Sequence, residues 1–297
     1  MNASPMHDRK GLMLAIGAYV FWGVLPLYIH LLRSVPSLQL LAHRVVWSAL
    51  LLIGIVLLLG RWGAMLKAAR GRTLLYLLAS TVMIAINWLV YIWAVQNDHL
   101  IEASLGYFIN PLVNVALGMA VLGERLRRLQ GVAIAIAAVG VAIMGASGGA
   151  LWISLTLAVS FGLYGLIRKV AAIDALGGLT METLLLAPLC LAWLVHEGAA
   201  GTGVWGESPW LDLMLVLAGL VTALPLLMFA AAARRMAYST IGLLQYIAPT
   251  LQFLMAVLLF GEPLHTAHIV TFALIWTGCA LYGWDMVRAS RDAGAGI

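Results

Sequence analysis

Residues 103–124, ASLGYFINPLVNVALGMAVLGE, return at 241–262 as IGLLQYIAPTLQFLMAVLLFGE. The second copy lies 138 positions after the first and sets Leu243 over Leu105, Pro249 over Pro111 and Gly261-Glu262 over Gly123-Glu124. A chain that repeats so long an apolar unit builds two similar halves and packs one on the other. Internal repeats of this kind in a hydrophobic chain point to a transporter architecture.

The solvent of those halves follows from composition. Hydrophobic residues make up 63% of the chain and charged ones 10%, against about 25% charged in soluble domains. Ten runs are long enough to cross a hydrocarbon layer about 30 Å thick as helices: 11–32, 39–60, 73–95, 100–122, 130–147, 151–169, 178–197, 210–233, 238–260 and 267–286. They are apolar all round and do not alternate, which excludes a spanning barrel. The expected fold is an all-α membrane protein whose helices satisfy their own backbone groups in lipid. Its two five-helix units cover 11–147 and 151–286. The first run lacks a small-x-small cleavage site and reads as an uncleaved span. Cys190 and Cys279 both fall inside spans and read as buried thiols, neither a disulfide nor a metal pair.

Basic residues orient the bundle. With both termini in the cytoplasm, fifteen of the seventeen Lys and Arg lie in cytoplasmic segments, Arg33 lies outside and Arg44 lies within a span. The positive-inside rule therefore predicts an N-in, C-in topology. Five helices per unit, an odd number, invert the second unit. Equivalent loops should then exchange their charge: Arg127-Arg128 corresponds to His265-Thr266, and Gln96-Asn97 to Arg234-Arg235. Basic loops beside anionic lipid explain the pI of about 9.4 without a nucleic-acid partner. The basic stretch 61–72 puts Trp62, Met65, Leu66 and Ala69 on one helical face and reads as an interfacial helix. The Gly-rich stretch 198–209 reads as a plain external loop.

Polar groups in hydrocarbon normally face the bundle interior, a partner or water. Tyr107, Asn110 and Asn114 share one face of the fourth span, beside Pro111. The repeat sets Gln245 over Tyr107 and Gln252 over Asn114, with Pro249 central. Two inverted helices bent at Pro111 and Pro249 would thus bring amide faces to one depth, as a midplane substrate site requires. Amides that merely join helices contribute about 0.6 kcal/mol each; recurrence in both copies favours the site. Tyr19, Trp22 and Pro26 are spaced like Phe161, Tyr164 and Arg168, and these mid-span rings are candidate cavity walls, as are Asn87 and Tyr91 one turn apart on the third span. Trp88 and Trp93 on that helix are free to face lipid.

Three charges fall within spans. Glu102 reads as snorkelling to the interface, or as a partner for Arg44 on the external side. Arg44 is the candidate contact for an anionic substrate group, and Glu182, standing alone toward the cytoplasm, is the candidate proton-coupling carboxylate. No HExxH, GxSxG, Walker loop or paired carboxylate is found, so neither an enzyme, a cofactor nor a metal is expected. His265 and His268 read as residues of a solvated loop.

Residues 86–131, INWLVYIWAVQNDHLIEASLGYFINPLVNVALGMAVLGERLRRLQG, together with SFGLYGLIRK at 160–169 and YIAPT at 246–250, closely resemble the RarD branch of the EamA-type drug/metabolite transporter superfamily. The resemblance spans nearly the whole chain. It implies two inverted five-helix EamA repeats, a place in the bacterial inner membrane and permease activity on a small molecule, with a family label tied to chloramphenicol sensitivity. The reading is a secondary transporter working by alternating access, most simply an exporter of small amphipathic or aromatic metabolites. An importer such as an amino-acid permease, and a non-transporting assembly partner or scramblase, are the rivals. The lipid bilayer and a small-molecule substrate are the partners expected; nothing in the sequence sets the oligomeric state.

Overall fold

The computed structural model of the chain describes residues 9–122, 128–147, 150–233, 235–236 and 244–294. Its helices are α1 (Arg9–Leu31), α2 (Ser37–Leu58), α3 (Trp62–Ala68), α4 (Arg72–Gln96), α5 (Leu100–Leu122), α6 (Arg128–Ala146), α7 (Leu151–Val170), α8 (Ala175–Ala199), α9 (Pro209–Ala233), α10 (Ile247–Leu258) and α11 (Thr266–Gly294). No strand occurs among the described residues. Among the described residues, eight helices, α1, α2, α4, α6, α7, α8, α9 and α11, are long and apolar enough to cross a membrane. Apolar side chains point outward along them: Leu58 is 89% exposed and Leu189 69%, a pattern that water would penalise and lipid tails accept. Loop residues Glu124, Arg127 and Arg234, used in the sequence comparison above, lie outside the described residues.

Packing links the two halves of the chain. Helix α5 lies on α7, α1 on α9 and α10, α2 on both α8 and α9, α4 on α7 and α8, and α6 on α11. Small residues let backbones approach at these crossings. A Cβ on Gly219 of α9 would stand 2.6 Å from the Trp47 carbonyl carbon of α2. One on Gly106 of α5 would stand 2.8 Å from the Ser154 carbonyl oxygen of α7, and one on Gly278 of α11 would stand 2.7 Å from that of Ala133 on α6.

Polar contacts sort the helix ends onto two faces of the bundle. On one face Arg33 pairs with Asp98, and Ser37 Oγ donates to Gln96 Oε1 at 2.6 Å. Gln39 Nε2 there donates to Glu197 Oε2 at 2.8 Å. Both carboxylate oxygens of Glu262 cap the start of α5, accepting from the Leu100 and Ile101 amides at 2.8 and 2.9 Å. On the opposite face Arg61 pairs with Asp174 at 3.3 Å, and the start of α1 meets the end of α9, where a Cβ on Gly11 would touch Met236 and Arg235.

Gly60 ends α2: with φ of 64° it adopts the left-handed conformation a glycine reaches without strain, and the Gly60 and Arg61 amides close back on Leu57 and Val56. The chain then enters α3, whose Met65, with Ala69 just beyond the helix, is buried while Leu66 is 39% exposed. The stretch 61–72, expected as one interfacial helix, is helical over Trp62–Ala68, with Leu66 turned away from the buried Met65 and Ala69.

Several expectations are revised. The stretch 198–209 is not a plain loop: Val204 is buried, its amide donates to Gln39 Oε1 at 3.1 Å, and Trp205 stacks on His43 with ring centroids 5.6 Å apart. Helix α5 continues through Pro111, whereas residues 245 and 246 form a turn and α10 begins only at Ile247. Pro249 sits in the first turn of α10, where its missing N–H costs no hydrogen bond within that helix, and the break between helical residue 244 and Ile247 falls one turn before it.

Candidate functional site

Arg44 lies in α2 with 6% of its surface exposed. Its guanidinium sits over the Trp88 indole of α4, 4.9 Å from the ring centroid, and its Nε donates to Thr222 Oγ1 of α9 at 2.6 Å. Tyr28, Tyr91 and Tyr107 are its electrostatic neighbours. Among the described residues no carboxylate lies within ion-pairing distance of it. Burying an ion costs several kcal/mol. A charged hydrogen bond returns about 1.5–3 kcal/mol and a desolvated cation–π contact about 2 kcal/mol, together of the order of that cost, but both Nη groups lack an acceptor among the described residues, so compensation of the guanidinium is incomplete.

The tyrosines around it are not equivalent. Tyr28 donates its hydroxyl hydrogen to the Met214 carbonyl at 2.6 Å, and Tyr107 donates to Asn87 Oδ1 at 3.1 Å. Asn87, 1% exposed, in turn donates through Nδ2 to the Leu157 carbonyl and Ser160 Oγ of α7, at 3.0 and 3.1 Å. The Tyr91 hydroxyl is buried and has no hydrogen-bond partner.

A ladder of rings descends from this group. Tyr91 meets Tyr107 edge-on at 5.7 Å, Tyr107 meets Phe161 at 6.0 Å, and Phe161 meets Tyr164 at 6.0 Å. Tyr164 then donates to Glu182 Oε2 at 3.2 Å. Glu182 of α8 is 2% exposed. It accepts a second hydrogen bond from Ser80 Oγ at 2.6 Å and pairs with Arg168 Nε at 3.6 Å. Arg168 also donates through Nη2 to the Asp174 carbonyl. The bay that admits its guanidinium is Gly178, where a Cβ would collide with it.

The fold thus gathers Arg44, Asn87, Tyr91 and Tyr107, and joins Tyr164 and Glu182 to them. A separate cluster contains Tyr19, Trp22 and Gln252: Gln252 Nε2 donates to the Trp22 carbonyl at 3.1 Å, and Phe229 packs against Tyr19 and Trp22. Asn110 is buried with its Oδ1 unpartnered. Asn114 is exposed on the side of α5 facing Gly162, and Gln245 is half-buried in the turn before α10. None of these three hydrogen-bonds the Arg44 group.

Five sequence expectations are corrected here. Arg44 does not pair with Glu102; Trp88 faces it instead of lipid. Glu102 does not snorkel but is buried between His99 at 3.5 Å and His268 at 4.0 Å, because α11 closes over the start of α5. His268, expected in a solvated loop, is consequently buried in α11. Glu182 does not stand alone, since Arg168, counted as a loop charge, reaches back from the last turn of α7. Thr222 and Ser80 were missed because Ser and Thr hydroxyls in apolar helices usually bond their own backbone, and Tyr28 because a tyrosine near a span end reads as an ordinary belt residue.

A model of the EamA-like transporter family matches residues 9–146. RarD of Escherichia coli K12 is 43% identical, over 96% of this chain and 97% of its own. The chain belongs to the RarD branch of the EamA-like transporter family. The uncharacterised transporter PA0485 of Pseudomonas aeruginosa is 48% identical over 95% of this chain and 96% of its own. A relative named chloramphenicol-sensitive protein RarD, from the same species, is 37% identical over 95% and 96%. A crystal structure at 20% identity aligns with a TM-score of 0.58 over 92% of this chain and 96% of that one, which bears on the fold alone. With its apolar helices, family membership makes this a multi-pass protein of the bacterial inner membrane.

Proposed function

We propose that the protein is a secondary transporter that exports small amphipathic or aromatic metabolites by alternating access, a carrier rather than an enzyme. The observation that carries this reading is the buried, incompletely compensated Arg44, joined through a ladder of aromatic rings to the buried Glu182. A charge left in hydrocarbon without a full partner marks a substrate or ion path. Arg44 would hold the substrate, the rings would wall its path, and Glu182 would carry the coupling proton. Asn110, Asn114, Gln245 and Gln252, with Tyr19 and Trp22, would line other stages of the same passage.

The architecture proposed is ten membrane-spanning helices in two inverted repeats, N-in and C-in. The packing is in keeping with it. Counting α1, α2, α4, α5, α6 as one unit and α7 to α11 as the other, exchanging the units turns the α5–α7 contact into α10–α1, α4–α7 into α9–α1 and α2–α9 into α8–α4, all of which occur. The bias of basic residues supports the orientation.

The test begins by finding ligands through thermal stabilisation of the purified protein across a metabolite panel, then follows them in membrane vesicles. Gradient-driven accumulation in everted vesicles is expected. Accumulation only in right-side-out vesicles would make the protein an importer, and no movement in either would leave an assembly partner or scramblase.

A further inference from the structure

The chemistry around Arg44 specifies more than a polar cavity. The guanidinium spends Nε on Thr222 and one face on Trp88, which leaves both Nη groups as a planar pair of donors. Tyr28 and Tyr107 are committed to Met214 and Asn87, so Tyr91 supplies the remaining free hydroxyl, itself 3% exposed. Two parallel N–H donors and one O–H donor match a group with two coplanar acceptor oxygens. Among the described residues no carboxylate pairs with Arg44, and its neighbours Tyr28, Tyr91 and Tyr107 are neutral phenols, so the site holds one positive charge. A monoanion would neutralise it; a phosphate dianion would leave a net negative charge buried, which low dielectric penalises. Around the donors the surfaces are Trp88 and the rings of Tyr91 and Tyr107, suited to an apolar or aromatic body.

We infer that Arg44 and Tyr91 form a carboxylate site, and that the substrate class is organic monocarboxylates with an apolar or aromatic body. This rests on the carrier reading for its physiological meaning but concerns binding, which is measured without flux. Saturable binding with no transport would leave it standing and remove the carrier reading; transport of neutral or cationic compounds with no carboxylate binding would do the reverse.

The experiment uses the full chain in phosphatidylcholine nanodiscs and three probes on one body: phenylacetate, phenylacetamide and benzylphosphonate at pH 8.5. Affinity is read from the concentration dependence of the unfolding midpoint. Phenylacetate is expected to bind at least about tenfold more tightly than either analogue, the gap a charge-assisted hydrogen bond supplies. Arg44→Gln should remove that preference and Tyr91→Phe should reduce it. Should Arg44→Gln fail to insert, the wild-type ranking and Tyr91→Phe still decide. Equal affinity for the acid and the amide, tighter binding of the phosphonate, no saturable response to phenylacetate, or unchanged preference in Tyr91→Phe would each overturn the assignment.

Discussion

Arg44 and Glu182 hold the same rank in two helices that pack on each other: each follows the first residue of its helix, Ser37 of α2 or Ala175 of α8, by seven positions. Both are buried, and each bonds a hydroxyl from the other half of the chain, Thr222 of α9 for Arg44 and Ser80 of α4 for Glu182. Seven residues correspond to about 10 Å of helix. In an inverted arrangement the cation therefore lies that far below one membrane face and the anion that far from the other.

If that arrangement holds, the two bundle faces address different compartments. Single cysteines at Arg70 and His265, in a chain lacking Cys190 and Cys279, should be labelled from the cytoplasm and the periplasm respectively by an impermeant thiol reagent. Labelling of both from the outside of intact cells would remove the N-in, C-in topology.

Replacing the cation should harm transport more than folding. Arg44→Gln is expected to reduce transport at least about tenfold while membrane expression stays near wild type, since a charged hydrogen bond contributes about 1.5–3 kcal/mol. Arg44→Lys should recover only part of it, because a point charge cannot reproduce the planar fork. Full transport by a properly inserted Arg44→Gln protein would exclude the residue from the mechanism.

Glu182 offers a test in which neither charged residue is changed. Gly178→Ala places a methyl group where the Arg168 guanidinium lies, and the flexible end of that side chain must move away from Glu182. The pH profile of transport should then resemble that of Arg168→Gln, while Glu182→Gln should flatten it. An unaltered profile in all three variants would show that the cluster does not carry the coupling proton.

The glycine crossings predict a contrast in stability. Gly219→Leu inserts a side chain where the facing atoms are Trp47 backbone, and overpacking of this kind costs about 1–3 kcal/mol. Gly54→Ala, in α2 with open space around it, should be neutral or stabilising by about 0.5–1 kcal/mol. Chemical or thermal unfolding in a fixed detergent separates the two, and equal effects would count against the tight crossing.

Helix positions were largely legible because a run of apolar residues suffices to specify a spanning helix: the expected 39–60 and 151–169 compare with Ser37–Leu58 and Leu151–Val170. The start of α10 was less so, since the turn at 245 and 246 arises where one apolar run had looked continuous. For the site, Arg44, Asn87, Tyr91 and Tyr107 could be named from polarity and spacing. Their partners could not, because Thr222 reaches Arg44 across 178 positions of sequence and Met214 reaches Tyr28 across 186, a tertiary fact that helical periodicity does not encode. Arg168 misled for a related reason: a long side chain at a helix end can turn back into the bundle as readily as outward.

The close crossings at Gly106, Gly219 and Gly278 each join a helix of the first half of the chain to one of the second, α5 to α7, α2 to α9 and α6 to α11. Backbone resting on backbone at one point resists sliding, because the flanking side chains would have to climb past each other, yet it allows a change of angle. In a carrier that works by rocking, these points would serve as fulcra. A rigid-body swing between the units would leave distances beside them nearly constant and change those at the helix ends, so paired spin labels flanking Gly219 should report one distance where labels at the ends of α2 and α9 report two.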